Sequence, residues 1–266
     1  MNIREYYQKT SVSNFHASWI SLVLAIAFFI CHAFTLISGN ILLITAPFIV
    51  LSFFQFTNHR IYEHRIKDLP VLSVESGTEC LQSENFLLTF MPAPTLRLLL
   101  FTPNGSMLGE IRDRNMKWFM WMVPNTLSIL LPKRYELVNH EGHLLAMFNV
   151  RGGLTNKVSI MDHLGNQIGN YQESEKKSLV KIAGMFYKND KTDWMYVETS
   201  TGLRSFEIKT CNGEKVAMYQ EGWMPLDWGK RFKTNTPILT FLSRVDGGAK
   251  VAILGLCAAV LHHRSN

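Results

Sequence analysis

The sequence predicts a mainly β protein: a closed antiparallel β-barrel around a buried hydrophobic C-terminal helix, preceded by an N-terminal two-helix transmembrane hairpin. Three observations predict it. Residues 10–59 contain no Asp, Glu, Lys or Arg. A strand–turn–strand pattern recurs four times between Leu98 and Tyr219. Residues 251–261 read V-A-I-L-G-L-C-A-A-V-L, with no polar side chain among them.

The chain has 266 residues, 47% hydrophobic and 18% charged, which gives room for one sizeable core plus an appendage and excludes the disordered class. A net charge of +6 favours anionic surfaces, yet the basic residues are scattered among acids, so no nucleic-acid patch emerges. Cys31, Cys80, Cys211 and Cys257 lie far apart with no C-x-x-C spacing, which supports neither a zinc site nor a disulfide framework and fits a reducing compartment.

After a cytoplasmic segment, 1–16, the predicted hairpin occupies 17–57. Its first apolar stretch, Ala17 to Ile37, spans roughly 31 Å as a helix and matches a hydrocarbon core. The second, Ile41 to Phe56, reaches only about 24 Å and requires thinning, flanking residues or partial insertion. Ser38-Gly39-Asn40 forms the turn. A cleavable signal peptide is the rival, but no A-x-A-like site follows and a second apolar run begins at once. Arg4 and Lys9 precede the hairpin, Arg60, Arg65 and Lys67 follow it, and the turn is uncharged, so the positive-inside rule places the N-terminus and the C-terminal domain in the cytoplasm of a two-pass cell-membrane protein. His32 reads as an interfacial neutral imidazole and Pro47 as a kink.

A juxtamembrane connector, 58–70, leads into the β domain, 71–266. Leu69 to Val74 and Phe86 to Phe90 are the first strand candidates. The repeats then run Leu98–Ile111, Tyr135–Phe148, Val158–Tyr171 and Phe206–Tyr219. Aligned on Gly105, Gly142, Gly165 and Gly213, each has apolar residues five and seven positions before the glycine. A small residue follows it by four: Gly109, Ala146, Gly169 or Ala217. Asn104-Gly105 and Asn212-Gly213 mark hairpins, because both residue types accept positive φ. Extra strands are read over Trp118–Val123, Leu127–Leu131, Leu179–Tyr187 and Trp194–Glu198, with a further turn at Thr201-Gly202. About ten to twelve strands in one domain point to a barrel or sandwich, since closure removes exposed edges. A small residue in a strand permits a tight bend or close approach of another backbone, and four of them suggest that something packs against that side. The stretch 251–261 would span about 16 Å, too short to cross a bilayer. Apolar all round, it reads as a helix over about 249–262 threaded through a barrel.

The repeats, such as Val158-Ser159-Ile160-Met161-Asp162-His163-Leu164-Gly165-Asn166-Gln167-Ile168-Gly169, together with the terminal apolar helix from Val251, resemble the tubby C-terminal-like superfamily, which includes tubby proteins, phospholipid scramblases and LURP-one-related proteins. The resemblance covers roughly 71–261. It implies a twelve-stranded barrel around a central helix, with activities at membranes that include phosphoinositide binding and lipid scrambling. The Pro-rich and Cys-rich leaders of scramblases and the basic phosphoinositide motif of tubby have no match here, and the two-helix anchor resembles a bacterial member.

No catalytic constellation appears: there is no G-x-S-x-G elbow, Walker loop, H-E-x-x-H or G-x-G-x-x-G. Gly247-Gly248-Ala249-Lys250 reads as a turn into the core helix rather than a phosphate cradle. His140, His143 and His163 each sit beside a turn glycine and read as solvated, so neither metal nor cofactor is expected. Asn104-Gly105-Ser106 matches a glycosylation sequon and is expected to be unmodified. Two lipid-binding candidates stand out. One is Lys230, Arg231 and Lys233 beside Trp223 and Trp228, cations next to aromatics as an anionic interface requires. The other is Arg60, Arg65 and Lys67, next to His59 and His64, at the headgroups after the anchor. The expected function is a membrane-anchored, non-enzymatic surface for anionic lipid headgroups or a protein partner. Its rivals are a scramblase-like phospholipid transporter and a regulatory or immunity interaction protein.

Overall fold

The computed structural model describes residues 1–34, 39–70, 79–93, 95–115, 132–151, 157–174, 183–199, 205–242 and 245–261. Two compact units divide the chain, Asn2–Val71 and Leu72–Asn266, with Met1 grouped with the second.

The first unit is a helical hairpin. Helix α1 spans Ile3–Ala33 and α2 spans Ile41–Asp68, so α1 begins well before its apolar stretch and α2 continues well past its own, making helix of most of the segments read as 1–16 and 58–70. Asn2 and Asn40 cap them, their side-chain oxygens accepting from the amides of Glu5 and Leu42. Where the helices meet, small and hydroxylated residues recur every seven positions. Ser11 lies 2.8 Å from the His59 imidazole, Ser18 lies 3.1 Å from Ser52, and Ala25 and Thr45 are buried one heptad further on. Hydroxyl pairs on close-packed helices are the usual adhesive where lipid removes the hydrophobic drive. Large apolar side chains including Trp19, Ile20, Phe29 and Phe53 point away from the partner helix and are exposed. Both helices are long and apolar enough to cross a membrane.

The second unit is a closed barrel of twelve antiparallel strands among the described residues. They are β1 Asn85–Phe90, β2 Arg97–Phe101, β3 Met107–Asp113, β4 Lys133–Asn139, β5 Leu144–Arg151, β6 Lys157–Asp162, β7 Gln167–Glu173, β8 Gly184–Lys188, β9 Asp193–Thr199, β10 Phe206–Thr210, β11 Lys215–Gln220 and β12 Ile238–Phe241. Each strand pairs with its sequence neighbour, and β1 pairs with β12 to close the ring. The strands read over 118–123 and 127–131, the Thr201-Gly202 turn and most of 69–74 lie outside the described residues. So does the first part of 179–187, whose remainder is β8.

The four repeats fold as β2–β3, β4–β5, β6–β7 and β10–β11 in one common register. Leu98 faces Ile111, Tyr135 faces Phe148, Val158 faces Tyr171 and Phe206 faces Tyr219. In each, the ladder shifts at the same step, and the turn glycine has φ between 86° and 89°. This is a turn ending in a left-handed residue and a bulge. Only the glycine uses positive φ; Asn104 and Asn212 do not, contrary to the expectation for Asn-Gly pairs. The pairing β8–β9 is a fifth copy. Its Lys188 and Lys191 amides make the same turn bonds, and Lys191, at φ 64°, stands where the others have glycine.

Two of the four small residues answer to the close approach of another backbone, while Ala146 and Ala217 are fully buried in the hydrophobic core. A Cβ on Gly109 would lie 2.4 Å from the Val138 carbonyl oxygen, and one on Gly169 would lie 2.6 Å from that of Tyr187. Each oxygen belongs to the adjacent strand, next to the residue entering that strand's turn. The barrel wall itself therefore demands the missing side chain.

Helix α4 spans Gly247–Leu261, after a short helix α3 at Leu226–Gly229. Its residues from Ala249 to Ala259, and Leu261, are buried. The apolar ones form a single hydrophobic cluster with alternate residues of the strands, including Leu98, Phe148, Ile160 and Ile208. Gly255 allows a close approach, since a Cβ there would lie 2.8 Å from the Phe148 ring. Lys250 Nζ donates to the carbonyls of Leu81 and Ser83 at 2.8 and 2.9 Å, tying α4 to the segment before β1. Asp246 accepts from the Ala249 amide, so its own carboxylate takes the start of this helix.

Gly109→Ala is expected to cost about 3 kcal/mol, because backbone rather than a flexible side chain opposes the methyl. Gly142→Ala meets nothing within 4 Å but keeps φ +89°, and is expected to cost about 1–2 kcal/mol. Urea midpoints of the full chain in detergent rank the two, and equal costs would contradict the close-approach explanation.

Candidate functional site

Residues 221–237 join β11 to β12, and this loop carries the first group of sequence candidates. Gly222, at φ +84°, turns the chain out of β11. The Trp228 carbonyl accepts from the Arg231 and Phe232 amides, closing a tight helical turn. Phe232 is fully buried and meets the Phe101 ring edge-on at 6.0 Å. It pins the loop to the barrel and is no part of the surface. Trp223 is 68% exposed and Leu226 is 90% exposed, although apolar groups of that size ordinarily seek burial. Lys230 is exposed and pairs with Asp227 at 3.1 Å, a contact of little energetic weight at the surface. Trp228, Arg231 and Lys233 are half-buried. The loop thus offers two exposed apolar side chains, one exposed ammonium and two half-buried cations.

The second group lies on the last turns of α2. Arg60 is exposed, 4.0 Å from Glu63; Arg65 stacks its guanidinium 5.8 Å above the Tyr7 ring; Lys67 is exposed. The two histidines differ from each other. His64 pairs with Asp68 at 2.8 Å near solvent, whereas His59 turns inward to Ser11 and is part of the helix seam.

The imidazoles of His140 and His143 lie 3.8 and 3.3 Å from Glu141 carboxylate oxygens. Among the described residues, no group of three His, Cys, Asp or Glu side chains is placed to hold a metal.

A third feature escapes the sequence reading. On the outward face of β5–β8 lies a depression of about 480 Å³, lined by Arg151, Lys157, Lys191, Tyr187 and amide or hydroxyl side chains. Hairpin register shows that Arg151 stands directly opposite Lys157. The signal available in the sequence was Lys191 at a glycine position, hidden because β8–β9 lacks the small residue of the other copies, with Met195 in its place.

No protein-family model and no curated protein matches this sequence. Among solved structures, the chain is similar to a crystal structure of a protein from Arabidopsis thaliana, at 11% identity and a TM-score of 0.41, covering 66% of this chain and 90% of that one.

Thiol chemistry separates the cysteines of the β domain. Burial pushes the Cys80 thiol up to about 12 against the opposing Lys250 ammonium, and burial pushes Cys257 up to about 12, while Cys211 is exposed. Maleimide at pH 8 should label Cys211 in the native chain and reach Cys80 and Cys257 only on unfolding. Both raised thiols keep protons in the folded state that the unfolded chain releases above about pH 9. Stability is therefore expected to be fully present below pH 9 and to fall as pH rises from 9 to 12.

Proposed function

We propose that this chain is a membrane-anchored, non-enzymatic domain of tubby-like architecture, with α4 filling the barrel, that presents a surface for anionic lipid headgroups at the cytoplasmic face of the cell membrane. The observation that carries the proposal is the 221–237 loop. Trp223 and Leu226 are exposed on the same loop as Lys230, Arg231 and Lys233, and an amphipathic tryptophan on a loop with cations matches the chemistry of the lipid interface. The helical hairpin supplies attachment: its outward residues are apolar, and its flanking cations, Arg60, Arg65 and Lys67 among them, orient it by the positive-inside rule. A barrel whose inward residues form one apolar cluster with α4 leaves its outer surface for binding.

Lipid binding is favoured over transport. Buried hydroxyls of α1 and α2 are engaged within the hairpin, in Ser11–His59 and Ser18–Ser52 and in Thr10 and Thr45 donating to carbonyls of their own helices, and one hairpin offers no hydrophilic track along which a headgroup could move. A protein partner at the same loop is the remaining alternative.

Two measurements test the proposal. In nanodiscs containing phosphatidylglycerol, brominated lipids should quench more fluorescence in the native chain than in Trp223→Phe. That difference should shrink in neutral nanodiscs and in the Lys230→Glu/Lys233→Glu variant, since each lysine near an anionic surface contributes about 1 kcal/mol. No difference between the native chain and Trp223→Phe would refute the loop's role. Removing residues 1–68 should release the chain from membranes, and retention would refute the anchor.

A further inference from the structure

The outer face of β5–β8 carries a charge arrangement unlike the rest of the barrel. Elsewhere, cations and carboxylates alternate. Arg97 and Arg112 both bond Glu110, at 3.0 and 3.1 Å, and Arg112 and Arg114 share Glu136 at 3.8 and 3.3 Å. On the far strands, Lys209 sits 2.8 Å from Glu198 while Lys215 sits 2.8 Å from Glu207. Across β5–β8 the interleaving stops. Arg151 is the direct cross-strand partner of Lys157, and like charges placed opposite each other destabilise a sheet. Among the described residues neither has an ion pair, and no acidic side chain lines the depression they border.

Two rows of outward side chains cross this face. One runs Asn149–Ser159–Asn170–Tyr187 through successive pairings of β5, β6, β7 and β8. The parallel row runs Arg151–Lys157–Gln172. Lys191 borders the same depression from the β8–β9 turn. It is the one non-glycine residue with positive φ among the described residues, at a position that the four sister hairpins give to glycine. A side chain held in the left-handed region is strained, and such strain clusters where a side chain serves function.

We infer that this face is a binding site for a small polyhydroxylated anion, a sugar phosphate or sugar acid, held by Arg151, Lys157 and Lys191. The ligand's anionic group relieves the Arg151–Lys157 repulsion and takes charge-assisted hydrogen bonds from both. The amides of Asn149, Asn170 and Gln172 and the Ser159 hydroxyl donate to and accept from vicinal hydroxyls, and Tyr187 supplies an aromatic face with a polar tip. The volume of about 480 Å³ suits a single sugar unit with its charged group. This site is built on different strands from the 221–237 loop and does not rest on the membrane reading.

The test titrates the full chain in phosphatidylcholine nanodiscs with glucose 6-phosphate, glucuronate, inorganic phosphate and glucose, by calorimetry. Glucose 6-phosphate or glucuronate should bind more tightly than phosphate, and glucose should not bind. Arg151→Gln and Lys157→Gln should each weaken binding about tenfold, as loss of one charge-assisted hydrogen bond does. Lys191→Gly should weaken binding while leaving the unfolding midpoint no lower than native, because glycine adopts that φ without strain. This pairing separates a ligand role from a structural one. Competition by phosphatidylglycerol in the nanodisc would assign the site to a lipid-borne hydroxylated phosphate; its absence would assign it to a soluble ligand. Failure of the native chain to bind either sugar anion, or unchanged affinity in all three variants, would overturn the proposal.

Discussion

The pairing of β1 with β12 is the constraint on which the rest of the β domain depends. Asn85 faces Thr240, Phe86 faces Leu239 and Leu87 faces Ile238, and the Thr240 hydroxyl donates to the Asn85 side chain at 3.0 Å. The Leu88 amide donates to Pro237 and the Phe241 amide to Glu84, so hydrogen bonding continues past the ends of the short ladder. Without this pairing both strands would be open edges, each a row of unpaired amides and carbonyls. With it, the sheet must curve through a full turn, and the curvature explains the regularities seen elsewhere. The five matching hairpins all bulge at the same step, and bulges bend and twist a strand. Gly109 and Gly169 lie where a bulged neighbour brings its carbonyl close.

Curvature and core reinforce each other. The inward residues of the strands and the apolar residues of α4 form one cluster, including the stacked pair Phe206–Tyr219 at 4.7 Å and the edge-on pair Phe86–Phe241 at 5.6 Å. The second pair spans the closing strands, so closure is held by side chains as well as backbone. Lys250 adds a polar fastening at the start of α4. Burial pulls its ammonium below the ordinary lysine range, and two carbonyls, with the Phe241 ring 5.2 Å away, offset the loss of water.

The hairpins were legible because a strand with one buried face repeats every two residues, and a glycine four residues beyond the last paired residue fixes the turn. Apolar content and length likewise exposed α1, α2 and α4. The fifth hairpin was hidden, since Lys191 and Met195 replace both of its small residues. The reason for Gly109 and Gly169 was also hidden, because the obstructing carbonyl lies on a strand about thirty residues or fewer away whose register the sequence does not print. For the candidate site, composition located cations and tryptophans but not their depth. Phe232 is buried, Lys230 is engaged with Asp227, and His59 faces a serine on the other helix. The juxtaposition of Arg151 with Lys157 depends on pairing across a connection, which local pattern cannot supply.

Amide hydrogen exchange of the full chain, followed strand by strand, tests closure most directly. Closure predicts that the Leu88 and Phe241 amides, and the paired amides of β1 and β12 generally, exchange as slowly as those of β4 and β5, through the same global opening. Exchange of β1 and β12 that is orders of magnitude faster than the other strands would mark them as the free edges of an open sheet and contradict the barrel.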